Sequence, residues 1–450
     1  MFVSNANMKG LPLMKSTGIV DRLNCFVNSL PTKSYDRPAK KFVREILAGM
    51  MISKSTILTN IVRSLSADNE DFKANYKRIN RRLGEVDLTV GYEEQQRRAF
   101  EEISDDTVIA IDPGEITKPH SKTLECLAKV ADGSDDHRIK PGYSLLGAVA
   151  VNPKRLDKTP QPLVLELYSS ESGDFVSENS VIKDFISEIH ARTKGKGIHV
   201  IDRGGDRGIL LKHYFELNQK FVIRLKDRYL IGEDGLTIPV GKRRQLERKN
   251  LEYSARIQRV SDPHDRKRKA MNLRYDFEKV SVSSFKKENL NHECYLVTAW
   301  SESAMRPIEL LTSVPVLNSD QALDIIINYL SRWSVEETYR FLKAACGLEE
   351  MRLFSFGKLR NLVRASFLTA SLIARMSRCS SWQRLFCRTA LRLKRAPDEL
   401  YNWLYRSSDA CSALLTKHLK LLLAANETIY HKRKLKTYFQ PCLFPGEIGL

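Results

Sequence analysis

Between residues 105 and 226 the chain alternates short apolar runs with amphipathic stretches, and that order restricts the fold more than any other feature. DDTVIAID, YSLLGAVAV and PLVLELYSS read as three strands. KDFISEIHARTK reads as a helix and GIHVIDRGGD as a strand. GILLKHYFEL then reads as a second helix and KFVIRLK as a strand. Three strands, helix, strand, helix, strand predicts a mixed α/β layer. Two runs end in an acid, Asp112 and Asp202, at the strand ends where α/β folds place their sites.

Residues 228–302 break this order. Basic clusters (Lys242–Arg244 and Arg266–Lys269) alternate with strand-like runs around Tyr275–Val282 and in CYLVTAW, which reads as a β-rich insertion separate from the core. IELLTSVPV returns to strand, and one long helix is expected from Ser319 or Asp320 to a stop at Gly347.

The flanks read as helical. In the first 100 residues, Pro38 opens a helix carrying Phe42, Ile46, Leu47 and Met50. Ser53 or Ser55 caps a second with Ile57, Leu58, Ile61, Val62 and Leu65. A third carries Phe72, Tyr76, Ile79 and Leu83, with Lys73, Lys77, Arg78, Arg81 and Arg82 on its exposed side. This resembles a small DNA-binding bundle, although any small helical bundle has such a pattern. Residues 357–450 form a basic helical region with 17 Lys and Arg against five acids. The expected division is therefore 1–100, a catalytic core over 101–356, and 357–450. A net charge of +19, concentrated at one end, favours a polyanionic partner over a membrane surface. The eight cysteines form no CxxC pair, which argues for free thiols in a reducing compartment rather than a zinc module. No signal-like or membrane-length apolar run occurs, so a cytoplasmic protein is expected.

Tyr329, Arg332, Glu336 and Lys343 stand at offsets 0, +3, +7 and +14. On one helix, at about 100° per residue, they form a stripe about 60° wide. Leu330, Val335, Thr338, Phe341, Leu342 and Ala345 form the opposite, mainly apolar back. The bland reading is a solvated helix face, with Asp112 opening a turn before Pro-Gly and Asp202 a loop acid or cap. The sharper reading joins Asp112, Asp202 and Glu336, which are 90 and 134 residues apart and can meet only through tertiary structure. Three converging carboxylates require a cation. Magnesium suits them because it takes carboxylate, water and phosphate oxygens together.

Asp112, Asp202 in DRGGD, the LLTSVP run at 310–315 and Y-x2-R-x3-E-x6-K at 329–343 resemble DDE insertion-sequence transposases of the IS-four and Tn-five type. The resemblance covers roughly residues 38–356. It implies an RNase H-like core in which Asp112, Asp202 and Glu336 hold two divalent metals, magnesium or its substitute manganese. It also implies that Tyr329, Arg332 and Lys343 grip the phosphates of a transposon end. The implied reaction cuts double-stranded DNA at the element's ends and joins the freed 3′-hydroxyl to target DNA, in a homodimer and without a small-molecule cofactor. Some relatives place before the LLTS run a Trp proposed to stack on a flipped base. Ile308 stands there here, so a hairpin-forming pathway is not implied. Two rival readings are a transposase-derived DNA-binding protein without catalysis and a nuclease of the same fold that only hydrolyses.

Overall fold

The computed structural model describes residues 16–66, 72–133, 135–153, 160–240, 251–258, 270–282, 292–301, 304, 307–392 and 403–424. The basic clusters at 242–244 and 266–269, Cys442 and the Pro-containing tail lie outside the described residues. The chain divides into two units. The first gathers residues 1–92, 342–352 and 364–450; the second holds 93–341 and 353–363.

The first unit is helical. Helix α2 (Arg37–Ser53) packs against α1 (Gly18–Ser29), α3 (Leu58–Leu65), α4 (Phe72–Glu85) and α12 (Trp403–Lys417), so helices from both ends of the chain share one unit. Asp36 caps α2 by accepting from Ala39 N, with Pro38 in the first turn. Neither Ser53 nor Ser55 caps α3. Ser53 ends α2 and Ile57 holds the cap position, while Ser55 Oγ accepts from Ile57 N at 3.1 Å. On α4, Lys73, Lys77 and Arg81 are exposed. Arg81 pairs with Glu85 at 3.5 Å, and Arg78 is less exposed, its guanidinium forked onto Glu45 at 2.6 and 3.1 Å.

The second unit is built on one mixed sheet. Strand β1 (Val108–Thr117) pairs antiparallel with β3 (Arg138–Val151), and β3 pairs antiparallel with β4 (Gln161–Tyr168). On the other side β1 pairs parallel with β5 (Ile198–Ile201), and β5 with β6 (Phe221–Arg224). The connections run through α6 (Glu178–Thr193) and α7 (Gly208–Leu217), as parallel strands require. Three antiparallel strands continued by two parallel ones through helices form an RNase H-like core. A short strand that the sequence did not suggest, β2 (Ala128–Asp132), pairs with the start of β3.

The β-rich segment is not a separate piece. β12 (Ile308–Thr312) pairs with β6, β11 (His292–Ser301) with β12, and β10 (Ala270–Val282) with β11, so the insertion extends the core sheet. Side chains of the LLTS run fasten this junction. Thr312 Oγ1 donates to Phe221 O at 2.7 Å, and Ser313 Oγ accepts from Phe221 N at 3.1 Å.

Buried side chains cover both sheet faces. One cluster joins Ile109, Ile111, Leu146, Ile186, Leu211 and Phe221, and the other joins Val108, Val200, Val297, Leu310, Ile325 and Tyr329. The single helix expected from 319 to 347 is instead two, α8 (Ser319–Leu330) and α9 (Trp333–Ala345). Arg332, Ser334 and Val335 donate to the carbonyls three residues back, each at 3.0 Å, and Ser331 Oγ donates to Ile327 O. Such tight turns advance about 120° per residue, and a hydroxyl bonded four residues back bends a helix. The predicted stripe is therefore interrupted between Tyr329 and Glu336.

Candidate active site

Strand register brings the first two acids together. Ile111 is paired with Ile201 at the end of the parallel β1–β5 segment, and Asp112 and Asp202 are the residues that follow. Asp112 does not end its strand, as the sequence suggested. β1 continues to Thr117 along β3, and only its pairing with β5 stops at Ile111.

The DRGGD box holds Asp202 in place. Asp202 Oδ1 accepts from Gly204 N at 2.7 Å and caps a 3-10 turn over Arg203–Gly205. A side chain at Gly205 would meet Ile201 Cγ2 at 2.7 Å, so that turn packs flat on the strand it leaves. Asp206 closes the box. It accepts from Lys226 N at 2.7 Å through Oδ2 and forms an ion pair with Arg228.

The helical half arrives through Arg332 and α9. Arg332 donates to Asp112 Oδ1 at 3.3 Å and to Glu336 Oε1 at 2.5 Å, so one guanidinium bridges two of the predicted acids. Both Arg332 and Asp112 side chains are about 15% exposed or less, which keeps this contact largely out of water. Burial pushes the Asp112 carboxyl up to about 8. The Arg332 guanidinium opposes that rise, while Asp202, Glu336 and Glu115 add to it. Asp112 thus senses the other two acids electrostatically.

Tyr329 lies under this site rather than on its surface. It is 6% exposed in the apolar cluster beneath the sheet, with the Arg332 guanidinium 5.9 Å above its ring. Lys343 belongs to the helical unit and pairs there with Glu349 at 3.1 Å. Of the apolar back expected for the stripe, Val335, Thr338, Phe341 and Leu342 are buried. The sequence reading missed Tyr339, whose hydroxyl donates to Asp112 O at 2.6 Å. Its place three residues after Glu336, on the same side of a helix, was the available signal.

Among the described residues, no group of three or more His, Cys, Asp or Glu stands ready to hold a metal ion. The Arg332 guanidinium stands between Asp112 and Glu336. The donor chemistry nevertheless fits a hard divalent cation: three carboxylates, with Asp112 largely out of water.

The family model for the transposase DDE domain matches residues 104–372, more than half of the chain. The chain belongs to the DDE transposases. It is therefore a member of a family of nucleic-acid-processing enzymes that act on DNA and generally use divalent metals. The match spans Asp112, Asp202 and Glu336 together with the strands and helices that carry them. No curated protein matches the chain. Among solved structures it is distantly similar to the piggyBac transposase synaptic complex with hairpin DNA. The identity is 10% and the TM-score 0.36, over 94% of this chain and 78% of that one.

Proposed function

We propose that this DDE transposase, of the IS-four and Tn-five type, cuts DNA at the ends of its own mobile element and joins the freed 3′-hydroxyl to target DNA. The observation that supports the reading is that Asp112 and Asp202 follow the last paired residues of β1 and β5 while Arg332 links Asp112 to Glu336. Asp112, Asp202 and Glu336 would hold two magnesium ions. When bound, such ions activate an attacking oxygen and stabilise a leaving one. Arg332 has the planar fork that grips two phosphate oxygens. Its present partners are carboxylates, so an arriving DNA phosphate would take over a guanidinium already aimed at the site. Tyr329 supports Arg332 from below, and Lys343 supplies a further positive charge for the DNA backbone. The exposed Lys73, Lys77 and Arg81 of α4 and the basic helices beyond residue 357 bind DNA or a second subunit, and the active assembly is a homodimer that pairs two ends.

The deciding experiment is magnesium-dependent nicking of a labelled duplex carrying the element's end, comparing wild type with Glu336→Ala. Specific nicking that disappears in the variant, with DNA binding retained, is the expected result. Binding without nicking in both proteins would replace this reading with a DNA-binding protein that has lost catalysis. Nicking without any product joined through a 3′-hydroxyl would leave a nuclease.

A further inference from the structure

Asp112 is tied to the α9 segment twice, and the two ties differ in kind. Its carboxylate meets Arg332, which a phosphate can draw away. Its backbone carbonyl accepts from the Tyr339 hydroxyl at 2.6 Å, and the Tyr339 side is 8% exposed, out of reach of DNA. The same hydroxyl lies against Gly147, where a Cβ would come within 2.5 Å of it. Gly147 is the direct partner of Asp112 in the β1–β3 register. One phenol from the Glu336 helix thus bonds the backbone of the first acid and packs against its strand partner.

The surroundings leave room for this ring and little else. A Cβ at Gly147 would lie 2.5 Å from the hydroxyl, and one at Gly114 would lie 3.1 Å from ring Cε2. Two glycines on adjacent strands form the slot, so the side chain that could block Tyr339 is missing at both positions.

We propose that Tyr339 is a positioning residue for phosphoryl transfer: its hydroxyl fixes the separation between Asp112 and Glu336 by locking α9 onto the Asp112 carbonyl. This inference rests on the proposed reading of the acids as metal ligands. Glu336 and Tyr339 are one helical turn apart on one side of α9, so the hydroxyl bond transmits directly to Glu336. When Arg332 turns to a phosphate, this bond is the tie that persists.

The test uses full-length Tyr339→Phe, which keeps the ring in its slot and removes only the hydroxyl. Magnesium binding to the DNA-free protein is measured by calorimetry, and nicking at saturating end substrate is measured alongside. The expected result is several-fold weaker magnesium binding and a kcat lower by about 10- to 100-fold, the scale of an ångström-level misplacement, with KM for DNA within two-fold of wild type. Gly114→Ala, which presses the ring without removing the hydroxyl, should move both quantities the same way by less and serves if the phenylalanine variant does not fold. Superimposable magnesium titrations, or none in either protein, would overturn the inference even if the melting temperature fell. If wild type does not nick at all, the transposase reading fails separately, and weaker magnesium binding in Tyr339→Phe still upholds the role of the hydroxyl.

Discussion

The strand-borne and helix-borne halves of the site are held by different physics. Asp112 and Asp202 follow directly on the last paired residues of β1 and β5, Ile111 and Ile201, and Asp202 is held further by the backbone N–H of Gly204. Glu336 and Arg332 follow a broken helix, and their placement depends on a guanidinium bridge and one tyrosine hydroxyl. The first half is a consequence of the fold. The second is a set of side-chain contacts that a ligand can exchange. A site of this kind keeps two acids fixed and leaves its third acid and its cation adjustable.

The largest test of that contrast is Asp202→Asn. The backbone register survives it, since Asn can still accept from Gly204 N, but a carboxylate charge is lost from the fixed half. Nicking should fall by about 10³-fold or more, while the melting temperature stays within a few degrees. A variant that retains a tenth of wild-type nicking would remove Asp202 from the chemistry.

Arg332→Ala addresses the adjustable half. Without the guanidinium, Asp112 and Glu336 face each other with no cation, and the DNA-free protein should lose about 2–3 kcal/mol, the scale of a charged hydrogen bond broken at a buried site. Magnesium should then raise the melting temperature of the variant more than that of wild type, because the ion no longer competes with Arg332. Equal magnesium effects in the two proteins would show that Arg332 does not stand in the position the ion needs. Gly205→Ala probes the fixed half again. Its Cβ would meet Ile201 at 2.7 Å, an overpacking that costs about 1–3 kcal/mol, and the strained turn should also weaken nicking. Unchanged stability would mean that the DRGGD turn has room to move.

The same contrast explains what was legible in the sequence. Apolar runs ending at Asp112 and Asp202 could be read directly, because a short apolar run closed by an acid is a local signal. The helical half could not, because Ser331 redirects its hydroxyl to Ile327 O and tightens the next turns. A uniform 100° step therefore overstated the exposure of Tyr329, which is buried. The extension of the sheet by β10 and β11 was equally hidden. Strand-like runs say nothing of which edge they join, and that edge was set by β12 pairing with β6. Tyr339 escaped notice because the slot that receives it is made by Gly114 and Gly147, both more than 190 residues earlier in the chain.

A pH titration of stability separates the two halves by the smallest effect. His199 lies on β5 with no exposed surface, its Nδ1 3.3 Å from the Tyr214 hydroxyl. Its Nε2 has no hydrogen-bond partner among the described residues. Burial, with a smaller contribution from His190, pulls its pKa down to about 3. The folded protein therefore holds His199 neutral, whereas the unfolded chain binds a proton near pH 6.5. Because the folded value is the depressed one, the stability contribution is intact above pH 6.5 and is lost progressively as pH falls toward 3. Between pH 7 and 5.5 this single group should remove about 1.3 kcal/mol. His199→Gln should flatten the slope by that amount in urea denaturation at the two pH values. An identical slope in wild type and variant would mean that His199 finds a way to protonate inside the fold. The strand that carries Asp202 would then be less rigidly packed than the contrast between the two halves requires.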